Sequence, residues 1–130
     1  MTVDEILEVD AKRNKPRGTT AKHSKFRINR WFERGGQLVQ DEKTLFLFVG
    51  DGKGAVETHA YTADDPAGFA ESLKRFAELM KKLGVKELVT VYVGRPKLLE
   101  FMKRVSEEMG FRYSVEDEDV YSVFRAYLQE

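Results

Sequence analysis

The chain contains no cysteine, which excludes disulfides and thiolate metal sites. It has two histidines, His23 and His59, too few for a His-rich metal cluster. No apolar run approaches the roughly 20 residues that span a bilayer, so no membrane partner is expected. The opening residues Met1-Thr2-Val3-Asp4-Glu5 are acidic and carry no apolar signal region. The expectation is a soluble, cytoplasmic protein. A virion protein, made in a host cytosol, would also fit. There is also no surplus of either charge: 22 Lys and Arg balance 22 Asp and Glu.

What is present is enough for one ordinary domain. The length is 130 residues, the apolar share is 42%, and nine Phe and five Tyr give the core large side chains. The balanced charge is unevenly distributed. Residues 12–34 hold nine Lys or Arg and one acid, Glu33, while residues 107–119 hold six acids and one base, Arg112. Lys22, Lys25, Arg27 and Arg30 could touch the phosphates of a nucleic acid or a nucleotide. The alternative is a solvated arm that meets the acidic end of the same or a neighbouring chain. The aromatics of this stretch fall at helical spacing rather than as an exposed stacking set, which favours the alternative.

Local signals divide the chain. Thr2 with Glu5 forms a capping box opening a short helix, with Val3, Ile6 and Leu7 on one face. Residues 14–20, with Pro16 and Gly18, read as a loop. A second helix is predicted over 23–34, with Phe26, Trp31 and Ile28 turned inward, and Gly35-Gly36 ends it. Strands are predicted at 37–40, 44–49 and 55–62, the last two joined by the turn cluster Gly50-Asp51-Gly52-Lys53-Gly54. That turn lacks the Gly-Lys-Ser/Thr ending of a phosphate loop and joins two strands. In the third strand Ala55, Glu57, His59 and Tyr61 share one face, and Val56, Thr58, Ala60 and Thr62 share the other. Asp65-Pro66 reads as an N-cap and first helical residue. Phe69, Leu73, Phe76, Met80 and Leu83 then mark the inner face of an amphipathic helix. A buried strand follows at 87–93. The next helix carries Leu98, Met102, Val105 and Met109 inward. Two strands, 111–115 and 120–128, flank the acidic turn Glu116-Asp117-Glu118-Asp119, where an EF-hand spacing is absent.

The β-α-β unit over 55–93 should be right-handed and parallel, and the final pair antiparallel. The fold class is therefore α/β (α+β), a mixed central sheet with helices on both faces in a single domain over 1–130. Within it, 1–36 form a helical part with a basic loop, and 37–130 form the sheet core.

This element order resembles the GCN5-related N-acetyltransferase (GNAT) fold. The likeness is closest from Leu99-Glu100-Phe101-Met102 through Glu108-Met109-Gly110-Phe111, similar to the family's fourth helix closing on a Gly-Phe pair. Val91-Tyr92-Val93-Gly94 followed by that exit is similar to small GNAT-like proteins of short-tailed phages, some of them internal virion proteins. The resemblance implies N-acyl transfer from acetyl-CoA. It implies that backbone amides opening the third helix hold the pyrophosphate, which places cofactor contacts at Thr58, Ala60, Tyr61, Thr62 and Gly68. It also implies a general base on the third strand, Glu57 or His59; an imidazole with an intrinsic pKa of about 6.5 suits an amine. The plainer account of His59 is a half-buried strand residue with one hydrogen bond, and of Glu57 a solvated group or a partner of Lys53.

The sequence departs from the family at two places. The family's loop is a Gln or Arg followed by Gly-x-Gly or Gly-x-Ala, whereas Tyr61-Thr62-Ala63-Asp64-Asp65-Pro66-Ala67-Gly68-Phe69 has one glycine, two acids and a proline. The family's tyrosine acid, four residues before the Gly-Phe pair, is replaced by Ser106. Three functions follow from these features. One is a reduced acyl-CoA-dependent acyltransferase. Another is a non-catalytic virion or protein-interaction component, self-associating or docking through its basic and acidic segments. The last, ranked behind, is a nucleic-acid binder.

Overall fold

A computed structural model of the protein describes residues 1–129. Glu130, which ends the expected 37–130 sheet core, and the Pro16 side chain lie outside the described residues. The elements are α1 (Val3–Arg13), a 3-10 turn (Lys15–Arg17), α2 (Ala21–Glu33), β1 (Gln37–Asp41), β2 (Thr44–Gly50), β3 (Ala55–Thr62), α3 (Pro66–Lys82), β4 (Glu87–Tyr92), α4 (Pro96–Glu108), β5 (Arg112–Asp117) and β6 (Ser122–Tyr127).

The sheet is mixed and six-stranded, in the order β1-β2-β3-β4-β6-β5. β1 and β2 pair antiparallel. β3 and β4 pair parallel, with Ala55 opposite Glu87, Val56 opposite Leu88 and Glu57 opposite Val89. The connection between them is α3, as a parallel crossover requires. The last strand, β6, lies between β4 and β5 and is antiparallel to both.

The chain divides into two compact units, Met1–Val49 with His59–Ser72, and Gly50–Thr58 with Leu73–Glu130. β3 and α3 each contribute residues to both.

In the first unit, the capping box closes as expected: the Glu5 N–H donates to Thr2 Oγ1 at 3.2 Å, and the Thr2 N–H to Glu5 Oε1 at 2.9 Å. α2 begins two residues earlier than its hydrophobic pattern suggests, because Thr20 caps it through the His23 N–H at 3.1 Å. It stops at Gly35, whose φ of 83° is a left-handed C-cap geometry. At Gly36 an added Cβ would sit 2.7 Å from the Trp31 carbonyl oxygen, so the chain can turn out of α2 here only without a side chain. Ile6 and Leu7 of α1 and Ile28 of α2 bury themselves against Leu45, Leu47 and Tyr61 of the sheet, with Val3, Ala21, Trp31, Leu38 and Ala63 packed around them. Each such side chain contributes about 1.5–3 kcal/mol of burial. The alternate residues of β2, Thr44 and Phe46, are fully buried on the other face. There Ser72 of α3 donates to Asp41 Oδ1 at 2.9 Å. Helices therefore cover both faces of this part of the sheet.

Phe26 is a correction. It is 65% exposed, and the buried residues of α2 are Ser24 and Ile28. Phe26 stands two residues from each, which on a helix is about half a turn round. Small Ser24, not the aromatic ring, faces the core.

In the second unit, the Gly50–Gly54 cluster is a hairpin turn. Asp51 Oδ1 accepts the N–H of Lys53 at 2.6 Å and of Ala55 at 3.1 Å. The Lys53 bond chiefly holds the Asp51 carboxyl below its ordinary pKa. Phe76, Met80, Leu88, Met102, Val105, Phe111, Phe124 and Leu128 are buried here. Leu83 is not: it is 68% exposed. Its N–H still donates to the Leu79 carbonyl at 3.0 Å, so it sits at the very end of α3, where the chain turns through Gly84 at φ 85° and leaves the side chain in solvent. The acidic turn is also shorter than expected. Glu116 and Asp117 continue β5, where Ser122 donates to Asp117 at 2.6 Å and Glu116 lies 3.6 Å from Arg125. Among the described residues, no helix is long and apolar enough to cross a membrane, and no group of three or more acids and histidines could hold a metal ion.

Candidate functional site

Within the first unit, the end of β3 and the start of α3 bring five of the named residues together: His59, Ala60, Tyr61, Thr62 and Gly68. Glu57 and Thr58 belong to the second unit. Glu57 is half-buried opposite Val89. Thr58 is buried, and its hydroxyl has no hydrogen-bond partner.

His59 is half-buried and meets Tyr61 edge-on, with ring centroids 4.7 Å apart. Arg27 Nη1 lies 3.0 Å from its Nε2 and 3.3 Å from its Nδ1. One nitrogen that close to both ring nitrogens lies over the face of the imidazole and not along either in-plane lone pair. The contact sets a guanidinium cation directly against the imidazole that a general base would use. Tyr61 is 1% exposed, and burial pushes its pKa up, opposed in part by the nearby charge of Arg27.

The loop leading into α3 is braced from several sides. The Thr62 N–H donates to Asp10 Oδ1 at 3.0 Å. The Ala63 N–H donates to the Lys43 carbonyl at 2.9 Å. The Asp64 N–H donates to Thr62 Oγ1 at 3.0 Å, and Thr62 Oγ1 meets Thr44 Oγ1 at 2.8 Å. The Asp65 N–H donates to Asp64 Oδ1 at 2.8 Å. Asp65 acts as the expected N-cap, its Oδ1 accepting the Gly68 N–H at 2.7 Å and its carbonyl the Phe69 N–H at 2.9 Å. The carbonyls are held too: Arg13 donates to those of Thr62, Ala63 and Asp64 at 3.4, 3.1 and 2.5 Å. A Cβ added at Gly68 would collide with the Asp64 carboxyl group.

Asp10 and Arg13 have the largest part in this bracing, and the sequence reading missed both. The signal for Asp10 was an acid on an apolar stripe: Ile6, Leu7, Asp10 and Ala11 are the buried residues of α1. An acid at such a position is buried for a partner.

The basic residues of α2 divide by task. Arg27 turns to His59. Lys25 is exposed and pairs with Asp4 at 3.0 Å. Arg30 lies over the Phe26 ring, 5.9 Å from its centroid, and Lys22 is exposed. In the second unit, Ser106 is buried on α4. The phenols nearby in sequence, Tyr92 and Tyr113, are poorer acids than free tyrosine. A hydrogen bond to Glu107 raises the pKa of Tyr113, and burial raises that of Tyr92.

No protein-family model matches the chain, and no curated protein matches it. Solved structures do. GCN5 of Tetrahymena superposes with a TM-score of 0.61 at 14% identity, over 98% of this chain and 87% of that one. A Bacillus subtilis acetyltransferase in complex with CoA gives 0.57 at 20%, over 82% and 84%. YncA of Salmonella typhimurium, a putative acetyltransferase with acetyl-CoA, gives 0.57 at 13%, over 99% and 92%. At these identities the likeness is one of fold, and the fold is that of the GNAT acetyltransferases.

Proposed function

We propose that the chain uses this fold as a binding component and not as a CoA-dependent transferase. The observation that supports this reading is the state of the amides at the start of α3. Those of Thr62, Ala63, Asp64, Asp65, Gly68 and Phe69 each donate to an acceptor of the chain itself. A helix N-terminus binds a phosphate through free N–H groups and a positive local field. Here Pro66 brings no N–H, and two carboxylates stand where the field is positive. The glycine at 68 makes room for the Asp64 carboxyl group, not for a phosphate. The residues present do not fit a pyrophosphate. Releasing each carboxylate-bound amide would cost about 1.5–3 kcal/mol before any new bond formed. The engagement of His59 with Arg27, and Ser106 at the place of the family's tyrosine, support the same reading.

The opposed basic and acidic segments support a protein partner. The likeness of Val91-Tyr92-Val93-Gly94 and Gly110-Phe111 to short-tailed phage proteins supports a virion as the setting in which that partner is met.

Calorimetric titration with acetyl-CoA and a thermal-shift assay test the reading. The expected result is neither heat nor a rise in melting temperature at about 1 mM ligand, where any Kd below that value would be seen. Saturable binding at tens of micromolar would overturn it. That result would restore acyl transfer with Glu57 or His59 as base and cofactor contacts along residues 58–62.

A further inference from the structure

Two exposed patches share one design with opposite charge. On α2, Lys22, Phe26 and Arg30 follow at intervals of four and so line one side of the helix. Phe26 is 65% exposed with the Arg30 guanidinium over its ring. In the turn between β5 and β6, Val120 is 75% exposed and Tyr121 43%, directly after the exposed acids Glu118 and Asp119. Each patch is an apolar anchor beside charges mainly of one sign, exposed Glu33 at the end of the α2 row being the exception, the arrangement that makes an interface centre with a steering rim. Neither anchor is covered within the single chain.

We infer that the α2 face of one copy docks on the β5–β6 turn of a second copy, head to tail. The inference rests on the reading that the chain works by binding, and it names the partner. Charge complementarity selects a second copy: the acids that match Lys22 and Arg30 are on the chain itself, and a net charge of zero gives copies no overall repulsion. Nucleic acid is a poorer match. Arg13 and Arg27 are turned to the loop before α3 and to His59, and Lys25 to Asp4, which shortens the row of cations that could follow a phosphate backbone. A contact between two different patches is heterologous, so it builds rings or open chains rather than closed dimers.

Sedimentation velocity over a concentration series tests this. Patches of this size give weak contacts, so association is expected above roughly 10–100 µM at low salt and should be lost on raising salt to about 0.5 M. Arg30→Ala, which removes the cation without offering a charge-swapped partner, and Asp119→Arg, both on exposed positions, should each leave a monomer. Mixing the two variants is the decisive step. The first keeps its turn and the second keeps its α2 face, so together they can form one good contact and should give a 1:1 dimer that grows no further. Circular dichroism melts show whether both variants stay folded. A wild type that stays monomeric, or variants that associate as before, would overturn the inference. So would a mixture that stays monomeric, or Arg30-dependent, salt-sensitive retention of a labelled oligonucleotide by a monomer. Acetyl-CoA titration of the same samples is a separate readout: binding there would reject the non-enzymatic reading and leave a positive mixing result standing.

Discussion

Replacing Phe46 by alanine should cost about 3–5 kcal/mol of stability, because a fully buried aromatic leaves both its transfer energy and a cavity behind. For a chain of this length that is a fall in melting temperature on the order of 10–20 °C. Phe26→Ala should change stability by less than about 0.5 kcal/mol, since its ring is 65% exposed. Urea midpoints of the two variants measure the contrast directly. Equal losses at the two positions would mean that α2 faces the sheet by a different side.

The second large effect is expected at Asp10. Its carboxylate is buried, accepts the Thr62 N–H at 3.0 Å, and meets Asn14 Nδ2 at 3.4 Å. Asp10→Ala leaves the Thr62 donor without its acceptor beside a small void and should cost about 2–3 kcal/mol. Asp10→Asn keeps an acceptor oxygen and should recover about half of that, because the bond loses its charge. Chemical denaturation of the three proteins gives both values. A loss confined to α1, with amide exchange in residues 62–68 unchanged, would mean that Asp10 does not support the loop.

The sequence was legible where one physical cause dominated. The period of Phe69, Leu73, Phe76 and Met80 located α3, the alternation over 55–62 located β3 to the residue, and Thr2–Glu5 located the first cap. The parallel pairing of β3 with β4 followed from the helix between them. Legibility failed where two causes competed. Hydrophobicity argued Phe26 inward, but burial of Ser24 and Ile28 left it outside. Leu83 continued a periodic face to the last residue before Gly84 turns the chain. In the loop before α3, Asp65 was readable as a cap because its partner is local. The contacts of Asp10 and Arg13 with residues 62–64 cross about fifty positions, and no local pattern encodes them. The basic run likewise read as one feature, although its members divide between internal hydrogen bonds and solvent.

Amide hydrogen exchange at Thr62, Ala63, Asp64, Asp65 and Gly68, followed by NMR with and without acetyl-CoA, tests the account at its centre. These donors are predicted to exchange slowly in the unliganded protein, held by the chain's own oxygens, and to keep the same rates when millimolar acetyl-CoA is added. Rapid exchange that slows sharply once the nucleotide is present would contradict it.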